Sequence, residues 1–338
     1  KVDVPDFRSR FINLYHSRYF RPVKDHLVAN VEAMAPVMAK VPSIVNSVIN
    51  SRLYKGFSKK TIGYVDTPLL SVPTLIQRVN KHGFTKFNLA SLTKRSELER
   101  AKTLLVVQDP FTSFYDAKSV EAMMVLAKNL GFDPILLPFK PNGKPQHVKG
   151  FLTKFAKTAR STAEFLNQLA ALDISMVGMD ASLALCYRDE YKQILGEERG
   201  SFNVMLAHEW LTQITENNEQ HTLTSEIAFK LFAHCTEKTA LPKSEQQWIT
   251  IFKQLGLSLD KVSVGCCGMA GTYGHEASNF DNSKGLFELS WQGQLDTLDD
   301  EQVLVTGFSC RSQAKRFANV QSRHPVEVLA ALTGSSLN

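Results

Sequence analysis

Short apolar runs recur through the last two thirds of the sequence, at 103–108 (TLLVVQ), 134–138 (PILLP), 174–179 (ISMVGM), 227–232 (IAFKLF), 261–264 (KVSV) and 302–306 (QVLVT). Each has the length and side-chain character of a buried strand. Between them lie stretches with the spacing of amphipathic helices, clearest at 117–130, 148–171, 243–255 and 284–295. Strands alternating with helices specify an α/β fold with a mainly parallel sheet. In such a sheet the loops leaving the carboxyl ends of the strands carry the chemistry. Reactive residues are therefore expected along that edge.

The pattern also repeats. Gly131 in KNLGFD and Gly256 in KQLGLSLD lie 125 residues apart. The loops after the strands align at nearly the same distance: Asp109 with Cys235 at 126, Asn142-Gly143 with Cys267-Gly268 at 125, and Leu183 with Cys310 at 127. Four similar offsets in one order imply a duplicated βαβαβ unit. The expected architecture is two pseudo-repeated Rossmann-like halves with parallel sheets, spanning 101–218 and 219–338, with their loop edges facing each other. A helical segment, 1–100, precedes them. Within it, 27–49 is poor in charge but broken by Pro36 and Pro42, and reads as short core or docking helices. The mixed charge run 94–102 reads as a solvated helix or linker.

Composition closes off several classes. With 43% apolar and 21% charged residues in 338, this is neither a disordered, a collagen-like nor a disulfide-dense chain. No run of about 18 uncharged apolar residues is present, so no spanning helix is expected. The formal charge of +6 is not gathered into one basic stripe of the kind that binds nucleic acid, and no nucleic-acid partner is expected. The chain has no signal-peptide pattern and opens on Lys1-Val-Asp-Val-Pro5 as though within a larger protein, which suits a cytoplasmic location.

Five cysteines carry the rest of the argument: Cys186, Cys235, Cys266, Cys267 and Cys310. An odd number without a secretory signal argues against a disulfide framework. Cys186, among Leu183, Ala184, Leu185 and Tyr187, suits a buried core thiol. The others each follow a predicted strand of the second half. The vicinal pair sits in GCCGMAGTYG, where Gly265, Gly268, Gly271 and Gly274 recur every third residue and leave backbone N–H groups free to approach sulfur or an anion. A structural zinc site usually draws on a C-x-x-C knuckle, which is absent here, with Gly307 in the first place of Gly307-Phe-Ser-Cys310. An iron–sulfur cluster offers several metal corners and suits thiols arriving from separate loops. Neither G-x-G-x-x-G nor a P-loop occurs, so nucleotide binding is not expected. His234, His275 and Glu276 stand near the cysteines and read as polar neighbours more readily than as ligands. His208-Glu209 lacks the second His of a zincin. The run 187–191 (YRDEY) reads as i,i+3 charge pairing with tyrosine packing.

His234-Cys235, then GCCGMAGTYGHE, then VTGFSCRSQ with Arg311 and Gln313, resembles the cysteine-rich CCG domain of iron–sulfur oxidoreductases. That family includes the heterodisulfide reductase B chain, the anaerobic glycerol-3-phosphate dehydrogenase C chain and the iron–sulfur chains of glycolate oxidase. The likeness extends from residue 1 to about 333 and is strongest to fused proteins in which a FAD-linked oxidase domain and a ferredoxin-like segment precede this region, similar to D-lactate and D-2-hydroxyglutarate dehydrogenases. The resemblance implies Cys235, Cys266, Cys267 and Cys310 as ligands of an iron–sulfur cluster such as 4Fe-4S, with His234, Gly268, Gly271 and Gly274 around it. It also implies FAD and further 4Fe-4S clusters on the preceding parts of the parent chain. Electrons would pass from a flavin that oxidises a 2-hydroxy acid to an acceptor, a quinone or a carrier protein, with room for a peripheral contact at the inner face of a membrane. Two departures stand out. Gly307 replaces the first cysteine of CxxC, and the first copy holds no thiol at Asp109, Asn142-Gly143 or 180–183. A four-thiol cluster, a zinc ion, or a docking module with vestigial cysteines all remain open.

Overall fold

The computed structural model describes residues 4–216 and 223–335. The expected boundary between the halves, at 218 and 219, lies outside the described residues, as do 1–3 and 336–338.

Seven strands form two parallel sheets. The first contains β1 (Thr103–Val106), β2 (Asp133–Leu136), β3 (Ser175–Gly178) and β4 (Met205–Leu206) in the order β2-β1-β3-β4. The second contains β5 (Ala228–Phe232), β6 (Ser258–Lys261) and β7 (Val303–Val305) in the order β6-β5-β7. Every pairing is parallel. In both sheets the first strand is flanked by the second on one side and the third on the other, as a duplication requires. A parallel bridge from Leu304 to Arg323 in the second sheet matches the pairing of β4 with β3 in the first. The backbone repeats too: Gly143 and Gly268, aligned by sequence, both adopt left-handed φ values, 82° and 85°.

The halves exchange helices. Ala117–Asn129 of the first half packs on Pro325–Ser335 at the end of the second, and Ala207–Glu216 at the end of the first packs on Ser244–Gln254 of the second. The core is consequently shared. Leu104, Val106, Trp210 and Leu211 belong to the same buried cluster as Phe229, Leu231, Trp248 and Leu304. Each such side chain contributes about 1.5–3 kcal/mol by leaving water.

The segment before β1 is helical: Val4–Tyr15, Val23–Ala29, Val31–Met38, Pro42–Asn50 and Arg52–Phe57 open it. Pro42 occupies the first turn of its helix, where its missing N–H costs nothing, whereas Pro36 lies inside Val31–Met38. The segment is pinned by buried polar contacts. Both carboxylate oxygens of Glu32 accept backbone N–H groups, from Asn142 at 2.7 Å and Gly143 at 2.8 Å. Lys149 Nζ lies 3.1 Å from Asp25, and Lys24 reaches Glu276 at 2.7 Å. Among the described residues no helix is long and apolar enough to cross a membrane.

Several expected elements move. The strand read at 261–264 is Ser258–Lys261 instead, an edge strand in which only Leu259 is buried. The more apolar 262–264 runs past the sheet toward the cysteines. The two-residue β4 is too short to leave a period in the sequence. The helix read at 148–171 is Leu152–Ala170, because Val148 ends a separate short helix and Gly150 turns at φ 67° where a Cβ would meet Asn13 N at 2.7 Å. The helix read at 284–295 begins at Phe280 and passes through a π turn at Glu288–Gln292. In 187–191 the tyrosines pack edge to face as expected, but the charges reach out of the helix: Arg188 pairs with Glu209 and Glu190 with Lys144.

Candidate functional site

Cys235 opens the helix Cys235–Ala240 after β5, Cys266 and Cys267 lie in the loop after β6, and Cys310 lies in Phe308–Gln313 after β7. All four occupy the carboxyl edge of the second sheet. They meet there. The Cys266 sulfur neighbours the Cys235 and Cys267 thiols, and Cys267 in turn neighbours Cys310. Cys267 and Cys310 are buried, while Cys235 and Cys266 are half-buried. Cys186 is separate, buried in the first-half core, where desolvation pushes its thiol up.

The thiols are not equivalent. Hydrogen bonds from Cys235 and Cys267, with a further one from the Gly268 N–H at 3.4 Å, hold Cys266 far below the usual thiol range. The same contacts, seen from the donor side, and then burial push Cys235 up. Cys267 is pushed up by its bonds to Cys266 and Cys310. The arrangement thus favours ionisation of Cys266 over Cys235 and Cys267.

The glycine ladder divides into distinct roles. Only Gly268 sends its N–H to sulfur. Its Cβ position is filled by the Ser283 carbonyl oxygen, so the φ of 85° and the close approach both require glycine. Gly271 turns at φ 69° on the exposed side of the loop. Gly274 is spoken for, because its N–H donates to the Met269 carbonyl at 2.9 Å. His275 and Glu276 are engaged by the helical segment, through Asp66 at 2.6 Å and Lys24 respectively.

His234 stands at the start of the helix that Cys235 begins, and its ring fills the space beside Gly307. A Cβ on Gly307 would collide with the His234 ring. The imidazole therefore occupies the room that the first residue of a CxxC pair would need. His234 Nε2 lies 3.3 Å from Ser309 Oγ, its Nδ1 has no hydrogen-bond partner, and burial lowers its pKa.

Supporting residues hold this edge, of which sequence reasoning named only Gln313 and Arg311, as parts of the VTGFSCRSQ run. Gln313 Nε2 donates to the Cys267 carbonyl and to Ser283 Oγ, both at 2.9 Å, and Ser283 Oγ donates to the Gly268 carbonyl at 2.8 Å. Lys238 Nζ donates to the Val264 carbonyl at 2.6 Å. The His234 N–H donates to Thr306 Oγ1, which donates to buried Glu237 at 2.7 Å. The polar residues following a cysteine or a strand were the available signal. Arg311 is buried against the Val305 and Thr306 carbonyls and pairs with Asp116 of the first half.

The matching edge of the first sheet is self-satisfied. Asp109 accepts the Phe111 and Thr112 N–H groups, and Asp180 accepts those of Ser182 and Leu183. Burial and then the nearby Asp180 charge push the Asp109 carboxyl up to about 7. Tyr191 donates to the Asn142 carbonyl at 2.7 Å.

The donor set suits a group held by four sulfurs. Soft sulfur ligands from three loops, a backbone amide aimed at sulfur and partial burial are what a thiolate-ligated cluster needs. A five-thiol set does not fit, since His234 takes the fifth place. Among the described residues no group of three or more His, Cys, Asp or Glu is disposed to hold a single metal ion.

The geometry defines a two-sheet parallel α/β protein with a four-thiol centre at one sheet edge. It is similar to the D-2-hydroxyglutarate dehydrogenase of Escherichia coli K12, at 55% identity over 97% of this chain and 32% of that protein. The Haemophilus influenzae D-2-hydroxyglutarate dehydrogenase is 46% identical over 97% of this chain and 33% of that protein. A more distant likeness, 23% over 56% of this chain and 48% of the other, is to the C chain of the anaerobic glycerol-3-phosphate dehydrogenase of Escherichia coli K12. The chain spans about a third of the length of the dehydrogenases it matches. No family model matches it.

Proposed function

We propose that this chain is the iron–sulfur electron-transfer region of a flavin-dependent 2-hydroxy acid dehydrogenase, with D-2-hydroxyglutarate as the substrate class its relatives' names suggest. The observation that carries the reading is the meeting of Cys235, Cys266, Cys267 and Cys310 at one sheet edge. The high identity to D-2-hydroxyglutarate dehydrogenases over nearly the whole chain supports it. A cluster bound there would supply one-electron storage. The chain's own residues would do the rest: four sulfurs hold it, the Gly268 N–H stabilises negative charge on sulfur, and Gln313 and Ser283 fix the loop. FAD and further clusters would lie on the other parts of a longer protein, and the acceptor would be a quinone or a carrier protein, met in the cytoplasm or at a membrane face.

The competing reading is a docking module with vestigial cysteines or a zinc ion. Its support is the apolar surface that the helical segment leaves exposed, including Phe20 and Leu53.

The test is iron and acid-labile sulfide, with an EPR spectrum, on protein purified without oxygen. Cys267→Ser should lower bound iron severalfold while the circular dichroism spectrum stays unchanged. Equal iron in the two proteins would remove the assignment, and neither iron nor sulfide in the parent would favour the docking module.

A further inference from the structure

The helical segment before β1 is apolar where it meets water. Of the large hydrophobic side chains exposed among the described residues, twenty lie between Val4 and Leu98, and only Leu286 and Leu289 lie beyond. The α/β halves are thus well covered and the segment is not. Val4, Phe7, Phe11 and Leu14, each more than half exposed, follow a 3-4-3 spacing that lines one face of the helix Val4–Tyr15. Val41, just before the helix Pro42–Asn50, and Ile44 and Val48 within it continue the spacing, and Phe20 and Leu53 are 87% and 88% exposed. Apolar area of this extent on a soluble protein marks a contact surface.

Charge is concentrated on the same stretch. Residues 1–60 hold eleven Lys and Arg against four Asp and Glu, leaving 28 against 29 in the rest. Two of those four acids, Asp25 and Glu32, are buried and satisfied, and Asp6 pairs with Arg10. The outward face is apolar with a basic rim.

The segment also grips the thiol loop. The Val65 N–H donates to the His275 carbonyl at 2.9 Å, the Ala277 N–H donates to the Gly63 carbonyl at 2.7 Å, and Asp66 holds both His275 and Arg316. Whatever covers the segment is brought against the element that straps the cysteine loop.

We infer that the helical face over residues 4–57 is the seat of the remaining two thirds of a polypeptide of the relatives' length, which presents an apolar patch with an acidic rim. This rests on the reading that the chain is one region of a longer protein. Three observations select that occupant. Relatives matched over nearly all of this chain are about three times as long. Among the described residues the uncovered apolar surface is concentrated in one segment, with Leu286 and Leu289 the exceptions. The strap from Gly63, Val65 and Asp66 to residues 275–277 ties this segment to the loop that follows the vicinal cysteines, a link that an electron donor would use and a second copy or a lipid surface would not.

The experiment places a photo-crosslinking benzoylphenylalanine at Phe20, at Leu53 or, as a control, at Leu289 in the full-length protein. Phe20 and Leu53 are so exposed that the replacement leaves packing alone. Expected are cross-links from 20 and 53 to peptides outside residues 1–338 of the same polypeptide, and none from 289. Cross-links to residues 1–338 of a second copy, or to anionic phospholipid in vesicles of phosphatidylglycerol and phosphatidylethanolamine, or no cross-link at either site, would overturn the inference. Iron measured on the same sample separates the two readings: the expected cross-link without iron retains the docking face and removes the electron relay.

Discussion

Gly307 and His234 form a matched pair. The ring of one stands where a side chain on the other would be, and each residue looks ordinary until both are seen together. Gly307→Ala forces a Cβ into the imidazole and should cost about 1–3 kcal/mol, as overpacking does. Calorimetry should find the loss reduced in the double variant with His234→Ala, so that the two substitutions are clearly non-additive. Strict additivity would mean that the loop moves away and the pair is not coupled. The four cysteines were legible in the sequence because their glycine neighbours and their places after strands betray them. His234 was legible as a neighbour, but its role as a space filler was not, since no local pattern records which ring lies against which distant glycine. Gly268, Gly271 and Gly274 show the converse: an even spacing of glycines suggested one role, and the backbone gave them three.

Elements were readable where burial makes a period. The helix Ala117–Asn129, packed against the first sheet and the C-terminal helix, was placed within one residue, whereas β6 was displaced because an edge strand with one buried side chain has no alternation to read. Contacts between elements were the hidden part. Two buried carboxyls illustrate what they cost. Glu32, which fastens the helical segment to the first half, and Glu237, on the helix that Cys235 begins, are each pushed up to about 7 by burial. Unfolded, both would lose their protons near pH 4.5. Between those values the folded protein holds more protons than the unfolded chain, so these groups make stability fall as pH rises, by at most about 1.4 kcal/mol per pH unit for each. Denaturant midpoints measured from pH 5 to pH 8 should drift downward over the lower part of that range and level off above pH 7. Glu237→Gln should flatten the drift even if it lowers the midpoint. An unchanged slope in that variant would place the titrating group elsewhere.

At the scale of the whole molecule the duplication explains both the symmetry and the asymmetry. The offset of about 125 residues predicted two sheets of one topology, and they are present, with left-handed glycines in register. The sequence had no means of showing that each half lends its last helix to the other, because that exchange depends on surfaces complementary only in three dimensions. With a common core running through Trp210 and Trp248, heating should produce one cooperative transition, at the same midpoint by tryptophan fluorescence and by far-ultraviolet circular dichroism. Two separated transitions would mean that the halves are independent folding units.

The exchanged helices have a consequence for how such a protein can change over time. A half that covers the flank of its twin is indispensable whether or not it carries reactive residues of its own. Asp109, Asn142 and Leu183 stand where the second half has sulfur, and the shape of the residues around them still serves the core that both halves share. The thiol-free half is the wall against which the cysteine-bearing one is built, and a gene trimmed to the cysteine-bearing half alone would encode a chain with its hydrophobic side open to water.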